Sequence, residues 1–340
     1  MKRAKTAVVI LNWNGKSLMQ QFLPALIEHT PSDEAEIIIA DNGSIDDSLS
    51  FLKENYPEIR IIAFEKNYGF AEGYNRALFQ LEHPYAVLLN SDVEVTPGWL
   101  TTAINYMDSN SEVVALQPKI LSYKNKTSFE YAGACGGYMD MYGYPYCRGR
   151  VLNVVEKDSH QYDAVTDVLW ASGACLFVRL DVYKQAGGLD AYFFAHQEEI
   201  DFCWRLVSRG MRIVCLPSSA VYHVGGATLA MESPHKTFLN FRNNLLMVYK
   251  NIPEKYFRRV FFIRFFLDYL AALQFFLKGY PANAGAVFKA RREFCRQKKN
   301  YAFVREKNMN LSLPEFPDVI NRKSLIIAFY LKRKRTFDSF

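Results

Sequence analysis

The chain has 340 residues, of which 50% are hydrophobic, 15% aromatic and 22% charged, and this composition excludes intrinsic disorder, because so apolar a chain can offset the entropy of ordering its backbone. Its 18 Gly and 13 Pro exclude collagen-like and low-complexity classes. The net charge of +6 hides an asymmetry: residues 251–340 carry 19 Lys and Arg against 7 Asp and Glu, whereas residues 1–250 are net acidic. A basic segment of this kind predicts an anionic partner.

The first ninety residues alternate between apolar runs and amphipathic stretches. β-Branched apolar runs predict buried strands over residues 7–11 and 36–40 and further strands over 59–64 and 85–90. Helical patterns separate these strands at residues 17–27, from residue 45 onward, and within 69–81. Strand–helix alternation at this spacing is typical of a mostly parallel α/β sheet.

The pattern is less regular from about residue 110 onward. Glycine and tyrosine crowd residues 131–149, which predicts an irregular loop or hairpin of the kind that covers active sites. An apolar strand pattern returns at 168–178, and a short helix is expected near 181–186. Residues 198–208 carry a helical apolar stripe, and a further strand is predicted over 213–216.

Polar side chains follow each of the first four predicted strands. They occupy residues 12–14, 41–42, 65–67 and 90–92. Ligands of parallel α/β sheets bind at the carboxyl ends of the strands. Asn, Asp and Gly also form ordinary turns, so any one of these loops has a purely structural interpretation. Their recurrence after four strands favours a binding site at this edge.

Several acidic residues and one histidine have the chemistry of a transfer site. They are Asp41, Asp92, Glu198, Glu199, Asp201 and His223. A carboxylate and an imidazole can bind a divalent cation, and a cation beside a diphosphate neutralises charge on a leaving group. A metal-free carboxylate can deprotonate an attacking hydroxyl. These groups suit the transfer of a sugar from a nucleotide diphosphate to an alcohol, although Glu199 and Asp201 also suit a solvated helix start.

Eight short segments occur in a specific order along residues 5–250. They are residues 9–14, 40–44, 67–75, 88–92, 172–174, 187–190, 198–205 and 222–223. In sequence and spacing they resemble the inverting glycosyltransferases of family 2, and within that family the rhamnosyltransferase-like branch that builds bacterial surface polysaccharides. The resemblance implies a GT-A (Rossmann-like) α/β fold, with a mixed, mostly parallel sheet flanked by helices and a C-terminal helical extension.

The resemblance also implies which residues hold the nucleotide-sugar donor. They are Asn12, Asn14, Asp41, Asn67, Gly69, Gly73, Asn75, Asn90, Ser91 and Arg242. Asp41 would contact the base, and the glycine-rich loop that begins at Asn67 would let the backbone approach the nucleotide closely. Arg242 is included because it lies in a family-like Phe-Arg-Asn-Asn pattern; its cation would hold a phosphate.

The same resemblance implies a metal site and a catalytic base. Asp92 matches the last residue of the family's Asp-x-Asp motif, whose first position is Asn90 here, and His223 would complete a Mg²⁺ or Mn²⁺ site unless it is a structural histidine. Glu199 matches the catalytic carboxylate, which is usually Asp, and Glu198 is the alternative base. The implied mechanism is a single displacement that inverts the anomeric centre.

The change in charge near residue 250 divides the chain into two predicted parts. These are a catalytic domain over residues 1–250 and a helical extension over residues 251–340. Aromatic and cationic side chains alternate at 255–277 and 286–299, which favours helices lying in the interface of an anionic membrane. The alternative is packing on the catalytic domain or on a second protomer. Arg264 interrupts the longest apolar run, so no uncharged spanning segment is expected. Nothing resembles a nucleic-acid-binding module, so no nucleic-acid partner is expected.

The compartment and the overall function follow from these points. Six cysteines without a CxxC pair predict free thiols in a reducing cytosol, and the apolar run at 7–11 is too short for a signal peptide. We expect a cytoplasmic enzyme at the inner face of the cell membrane that transfers a sugar, rhamnose by the branch resemblance, to a glycan or polyprenyl-diphosphate-linked acceptor. The alternatives are a catalytically weakened nucleotide-sugar-binding scaffold and a nucleotidyltransferase; a homo-oligomer remains open.

Overall fold

The computed structural model describes residues 4–225 and 233–340. The strands are β1 (Thr6–Asn12), β2 (Ala35–Asp41), β3 (Arg60–Ala63), β4 (Tyr85–Leu89), β5 (Val93–Val95), β6 (Val113–Ser122), β7 (Gly137–Asp140), β8 (Pro145–Cys147), β9 (Arg150–Val151), β10 (Val154–Val155), β11 (Thr166–Asp167), β12 (Cys175–Arg179), β13 (Arg212–His223) and β14 (Ile320–Asn321). The helices are α1 (Lys16–Glu28), α2 (Ser48–Asn55), α3 (Gly69–Leu78), α4 (Trp99–Ser109), α5 (Leu180–Gln185), α6 (Glu198–Ser208), α7 (Pro234–Asn251), α8 (Glu254–Leu277), α9 (Pro281–Gln297), α10 (Ala302–Leu311) and α11 (Leu325–Tyr330).

A mixed central sheet confirms the predicted α/β class. Its strand order is β11-β13-β6-β12-β4-β1-β2-β3, and β5 pairs with β13. The four strands from β4 to β3 are parallel, and β12 runs antiparallel to both β4 and β6. In the register of β1 against β2, Asn12 lies opposite Asp41. The first two polar strand ends therefore meet at one edge of the sheet.

Helices cover both faces of this sheet. On β1, Ala7 and Val9 belong to one apolar core, whereas Val8 and Ile10 belong to the other. Strands that are buried on both faces have continuous apolar sequences, which is why the sequence predicts them so directly. The structure extends β1 and β2 by one residue at each end, whereas β3 is one residue shorter than predicted at each end and β4 ends one residue earlier.

Two strand predictions differ from the structure. The apolar pattern at 168–178 forms a central strand only from Cys175, because Ser172 and Gly173 break the ladder. The strand predicted over 213–216 instead continues to His223, with an irregular register between Leu216 and Ala220. That irregularity matters for the site, because it carries β13 onward to pair with β5.

The glycine- and tyrosine-rich residues 131–149 contribute to a second, small sheet with the order β10-β9-β8-β7-β14. Its last strand comes from the C-terminal extension, since Ile320 pairs with Met139 of β7. All six cysteines are free, as predicted, and five of them are buried. The sequence predicted the free thiols and a hairpin in this region, but not its partner strand.

Residues 251–340 share the core of the preceding region. Helix α7 runs through residue 250, and Val260, Phe294 and Phe316 belong to the same apolar core as the sheet strands. Packing on the catalytic region, one of the two alternatives for the extension, therefore applies to much of it. The division at residue 250 stays a prediction. Among the described residues, α8 is long and apolar enough to cross a membrane by length and composition.

Candidate active site

Three predicted donor-binding residues meet at the ends of β1 and β2. Asn12 Nδ2 donates to Asp41 Oδ1 at 2.9 Å and to Ser44 Oγ at 3.1 Å, and the Ser44 amide donates to Asp41 Oδ2 at 3.0 Å. Asn14 has a positive φ of 52°, and its Oδ1 accepts the Ile45 amide at 2.8 Å. These bonds fix the Asp41 carboxylate, which is 1% exposed, at the sheet edge.

A gap beside Asn12 has an unpaired acceptor. Asn12 Oδ1 is buried without a hydrogen-bond partner among the described residues. A Cβ on Gly15 would lie 2.4 Å from this oxygen and 3.9 Å from Ser91 Oγ, so the glycine keeps the space open. A buried acceptor left unpaired costs about 1–3 kcal/mol. A ligand that donates a hydrogen bond to this oxygen would recover that energy. The position beside Asn12 and Ser91 therefore suits a contact with the nucleotide sugar.

The glycine-rich segment that begins at Asn67 packs closely against neighbouring parts of the chain. Asn67 Oδ1 accepts the Gly69 amide at 2.7 Å and Asn42 Nδ2 at 3.0 Å. Gly69 has a φ of +80°, and a Cβ there would lie 2.4 Å from the Phe194 ring. A Cβ on Gly73 would lie 2.8 Å from a β1 side chain. Both glycines lie in α3, so the loop predicted from Asn67 is helical from Gly69 onward, and this first part of α3 packs tightly between β1 and the segment that contains Phe194.

Asn75 has a different environment from the other predicted donor contacts. Its Nδ2 donates to the Leu189 carbonyl at 2.8 Å, and its Oδ1 accepts the Leu189 amide at 2.9 Å and the Tyr183 hydroxyl at 2.7 Å. The side chain is buried. These bonds use Asn75 to hold the Leu189 turn against α3, and the structure does not bring it to the strand ends where Asn12 and Asp41 meet.

Asp92 and His223 meet where β5 pairs with β13. His223 Nε2 lies 3.1 Å from Asp92 Oδ1, and His223 Nδ1 lies 3.4 Å from Glu130 Oε2. All three side chains are nearly inaccessible to solvent. Burial by itself would lower the pKa of His223, but the two flanking carboxylates outweigh it and raise the pKa to about 10. Without another cation, the histidine therefore carries the positive charge of this cluster.

Asp92, His223 and Asn90 carry side-chain atoms of the kinds that bind a divalent cation. The 3.1 Å between Asp92 Oδ1 and His223 Nε2 matches the separation of two adjacent ligands in an octahedron with bonds of about 2.1 Å. Asn90 Nδ2 lies 3.4 Å from the same nitrogen, so a rotated amide would present its oxygen there. No set of three His, Cys, Asp or Glu side chains converges within the described part of the chain. The fit is to a cation that takes its remaining ligands from a diphosphate and water.

The two candidate bases open helix α6. Glu198 is 4% exposed and Glu199 is partly buried, and one carboxylate oxygen of each is buried without a hydrogen-bond partner. Burial raises the pKa of Glu198 well above its ordinary value, with the neighbouring Glu199 adding to the effect. Burial raises the pKa of Glu199 to about 7. Burial therefore favours the neutral form of Glu198, whereas Glu199, with a pKa near neutral pH, is poised to accept a proton, which favours Glu199 as the base.

A short segment joins Glu199 to the Asn90–Asp92 loop. The Asn90 amide donates to the Ala174 carbonyl at 3.0 Å. A Cβ on the preceding residue, Gly173, would lie 3.8 Å from Glu199 Cβ. The Ser172-Gly173-Ala174 break in the predicted strand thus lies between the candidate base and the candidate cation site. The fold brings both groups to the same edge of the sheet.

The turn that precedes α6 has an unusual backbone. Phe194, His196 and Gln197 all have positive φ, between 64° and 74°, although none is glycine. Each such residue carries conformational strain of order 1 kcal/mol or more, so the surrounding structure must enforce it. The Phe194 carbonyl accepts the Phe70 amide at 2.7 Å, which ties the turn to the first residues of α3.

Consecutive residues of α7 enforce this turn. Asn243 Nδ2 donates to the carbonyls of Phe193, Ala195 and His196 at 2.8–3.0 Å. The Arg242 guanidinium donates to the Phe193 carbonyl at 3.2 Å and to that of Tyr192 at 3.0 Å. In this structure the predicted phosphate-binding cation Arg242 is therefore buried against the turn. The family-like Phe-Arg-Asn-Asn pattern therefore positions the start of α6.

Replacing Asn243 by Leu, which has a similar shape but no amide, should therefore misplace α6. We expect the free energy of unfolding to fall by about 1–3 kcal/mol, because the partly buried carbonyls of Ala195 and His196 lose this donor, whereas the Phe193 carbonyl keeps Arg242. We also expect kcat to fall more than the donor KM changes, since the base moves relative to the donor. Urea denaturation and steady-state kinetics test both effects. Asn300→Leu, at an exposed site, is the control, and equal behaviour of the two variants would contradict the role given to Asn243.

Family models match most of the region that contains this site. The model for glycosyl transferase family 2 matches residues 7–146, and that for glycosyl transferase family group 2 matches residues 85–233. The first model includes the ends of β1 and β2 and the glycine-rich segment, and both models include the Asn90–Asp92 segment. The chain belongs to glycosyltransferase family 2. Its enzyme class is that of a glycosyltransferase, as the motifs predicted.

Relatives of this glycosyltransferase include rhamnosyltransferases. An N-acetylglucosaminyl-diphospho-decaprenol L-rhamnosyltransferase of Mycobacterium tuberculosis is 25% identical over 234 residues, which cover 64% of this chain and 75% of the relative. The rhamnosyltransferase WbbL of Escherichia coli is 24% identical over 215 residues, covering 60% of this chain and 79% of the relative. The similarity to the rhamnosyltransferase-like branch is thus confirmed.

Solved structures confirm the GT-A glycosyltransferase fold. Residues 1–349 of S. aureus TarS in complex with UDP-GlcNAc match with a TM-score of 0.54 and 16% identity, covering 90% of this chain and 89% of that one. The mannosyltransferase PcManGT of Pyrobaculum calidifontis, in complex with GDP-Man and Mn²⁺, matches with a TM-score of 0.52 and 12% identity, covering 92% and 86%. At these identities the likeness establishes the fold alone.

Two residues of this glycosyltransferase site were missed by the sequence analysis. Glu130 borders His223 but lies in an irregular aromatic segment with no periodic pattern around it. Asn243 lies in a pattern that was noted, yet its role depends on carbonyls about fifty residues away. Gly225 offers one local signal for Glu130: it has a φ of +69°, and a Cβ there would lie 2.7 Å from Glu130 Oε1.

Proposed function

We propose that this protein is an inverting, cation-assisted glycosyltransferase that transfers a sugar from a nucleotide diphosphate to a hydroxyl of a glycan or polyprenyl-diphosphate-linked acceptor. The observation that carries the proposal is the placement of Glu199, whose pKa is about 7, across the Gly173 break from Asn90, Asp92 and His223. A proton acceptor and a diphosphate-binding cluster at one sheet edge are what a single displacement needs.

Each step of the reaction is then assigned to side chains of this chain. Asn12 and Asp41 hold the nucleotide, and the Gly69 loop contacts it through the backbone. Glu199 accepts the proton of the acceptor hydroxyl, whose oxygen attacks the anomeric carbon as the bond to the diphosphate breaks. The attacking oxygen and the leaving diphosphate lie on opposite faces of the sugar, so the anomeric configuration inverts.

A divalent cation, Mg²⁺ or Mn²⁺, would be held by Asp92, His223 and the Asn90 amide. When bound, it would neutralise charge that develops on the leaving diphosphate. Glu130 would accept a hydrogen bond from His223 Nδ1–H and so leave Nε2 free to face the cation, as carboxylates commonly do behind ligating histidines. The 3.1 Å between Asp92 and His223 supports this arrangement.

The proposed donor sugar is rhamnose and the proposed acceptor is lipid-linked. Support comes from the mycobacterial and Escherichia coli relatives, which are both rhamnosyltransferases, the former acting on a decaprenol-linked N-acetylglucosaminyl diphosphate. An acceptor of that kind is anchored in a membrane. We therefore propose that the protein works in the cytoplasm, peripherally at the inner face of the cell membrane.

A panel of nucleotide sugars tests the proposal directly. We expect one donor to bind with the highest affinity in a thermal-shift or calorimetric assay, and that donor alone to give a product whose anomeric proton and carbon signals in NMR report inversion. Retention of the anomeric configuration would contradict the single displacement. Binding of a donor with no product on any acceptor, and no donor hydrolysis, would favour the scaffold alternative.

Chelation tests the cation. EDTA should abolish donor turnover, and Mn²⁺ should restore it. Independent of turnover, Mn²⁺ titrated into the protein with nucleoside diphosphate should be detected as bound by electron paramagnetic resonance. Asp92→Asn should weaken that binding by roughly 10–100-fold or more, since second-sphere changes alone have effects of this size. Asp181→Asn, an exposed matched control, should not change it. Full turnover in EDTA would contradict the cation assignment.

A further inference from the structure

Helix α8 has one face that packs on the protein and one that does not. Every fourth residue from Val260 to Ala272 is buried. The outward face of the same helix consists of large apolar side chains that are 51–75% exposed. They are Phe262, Phe266, Leu270, Leu273, Phe276 and Leu277, which we call the α8 apolar face. Together they form an apolar stripe about 20 Å long at 1.5 Å per residue.

Helix α8 is long enough to span a membrane, but the charged residues on its buried face do not suit a spanning helix. Arg264 and Asp268 are 2% and 0% exposed and form an ion pair at 3.1 Å. Arg291 of α9 forms a second ion pair with Asp268, at 2.5 Å. If α8 spanned a bilayer, Arg264 and Asp268 would lose the ion-pair and hydrogen-bond partners that they have in the fold. Packing on one side with apolar exposure on the other instead describes a helix that lies in a membrane interface.

The surroundings of the apolar face are cationic. Arg258 and Arg259 are exposed one turn before Phe262, and Lys278 follows Leu277 directly. On the neighbouring α9, Lys289 is exposed beside Phe288, whose ring lies 5.2 Å from that of Tyr269. From residue 255 to 277 the only carboxylate is the buried Asp268. An apolar stripe with cations at both ends complements anionic headgroups and acyl chains together.

We propose that the α8 apolar face is the surface with which this protein docks into the interface of an anionic lipid bilayer. This inference rests on the proposed lipid-linked acceptor and adds the surface that brings the enzyme to it. A second copy of the chain is a poorer occupant, because two extensions of net charge +12 would repel each other.

The inner face of α8 connects this docking surface to the candidate base. Arg264 donates to Asn244 Oδ1 at 2.6 Å, and Asn244 Nδ2 donates to Gln197 Oε1 at 3.1 Å. Gln197 immediately precedes Glu198 at the start of α6. Helices are about 10 Å across, so the route from bilayer surface to the catalytic carboxylates spans roughly two helix diameters. An acceptor sugar carried on a membrane-anchored diphosphate projects from the headgroups toward such a site.

Vesicle flotation of the full chain tests the surface. The probes are vesicles of phosphatidylcholine alone and of phosphatidylcholine with phosphatidylglycerol. The triple variant Phe262→Ser, Phe266→Ser, Leu273→Ser should lose at least about tenfold in partitioning onto the anionic vesicles, because it removes three large apolar side chains from the face that enters the bilayer. The matched control is the triple variant Phe303→Ser, Leu311→Ser, Leu313→Ser, which removes similarly exposed apolar side chains outside α8 and should float like the wild type.

Two further measurements separate this inference from the proposed function. Turnover with a water-soluble acceptor should be equal in the wild type and both variants, whereas turnover with a vesicle-embedded acceptor should fall only in the α8 variant. Equal flotation of the α8 variant and the wild type would overturn the inference while leaving sugar transfer intact. A wild-type dimer in light scattering that becomes monomeric in the α8 variant, without vesicle binding by either, would assign the face to a second copy and also overturn it.

Discussion

Replacing Glu199 by Gln should lower kcat by roughly 10²–10⁴-fold, the range in which a positioned general base contributes to a rate. Gln keeps the size of the side chain but cannot accept the proton of the acceptor hydroxyl. Donor affinity should stay within about twofold, because the donor contacts lie at the strand ends near Asn12 and Asp41. Initial rates at saturating donor, together with calorimetric donor titration, separate the two quantities.

Glu198→Gln is the matched control for this substitution. Burial and the neighbouring Glu199 raise the pKa of Glu198 well above its ordinary value, which favours its neutral form, and Gln resembles that form closely. We therefore expect little change in kcat. If Glu198→Gln loses more activity than Glu199→Gln, the assignment of the base is wrong and Glu198 takes its place.

The pH dependence follows from the pKa of Glu199, which burial raises from 4.5 to about 7. A base must be deprotonated, so wild-type kcat should fall as pH drops below about 7. The free energy of unfolding depends on pH in the opposite direction. The folded state holds this proton more tightly than the unfolded state, so the free energy of unfolding falls as pH rises from about 4.5 to 7. Glu199→Gln lacks that loss and should be more stable than the wild type at pH 8, by up to about 3 kcal/mol. A flat difference across this range in urea denaturation would contradict it.

Asp201→Asn should destabilise the fold more than any other single neutral substitution in α6. Asp201 is 0% exposed, and its Oδ2 accepts Lys250 Nζ at 2.8 Å and Arg205 Nε at 3.1 Å. Both cations are themselves buried. Removing the charge leaves Arg205 without a carboxylate partner among the described residues and Lys250 with Asp190 alone, and breaking a buried ion pair in this way typically costs about 3–5 kcal/mol in the free energy of unfolding. Urea denaturation at pH 7 measures the loss, with the exposed Asp181→Asn as the control.

This loss should disappear in acid. Burial opposes the charged form of Asp201, but Lys250 and Arg205 outweigh it and hold its pKa below the ordinary value of 3.8. Its contribution to stability is therefore fully present above about pH 4 and is lost as pH falls through its lowered pKa. The wild type and Asp201→Asn should converge near the acid transition. An equal difference at pH 7 and pH 3 would mean that the variant acts through packing and not through the charge.

Local pattern was enough to predict much of the catalytic region. The stripe over residues 198–208 matches α6 at both ends, because an amphipathic helix is encoded by the spacing of its own side chains. Asn12 and Asp41 were expected to meet because parallel strands align their carboxyl ends, and they form a hydrogen bond at 2.9 Å. The apolar and cationic character of residues 255–277 is also local, and it foretold the helix that became α8.

Only the tertiary structure decided which polar groups act together and what each one can do. Glu130 reaches His223 because β13 bends past Leu216, a register irregularity that no local pattern encodes. Arg242 and Asn243 hold the turn before α6 through carbonyls some fifty residues away. Likewise, Glu198 and Glu199 are equivalent carboxylates in sequence, and it is their unequal burial that separates their pKa values. The sequence determines which elements form, because that depends on neighbours along the chain; the site depends on contacts and desolvation across it.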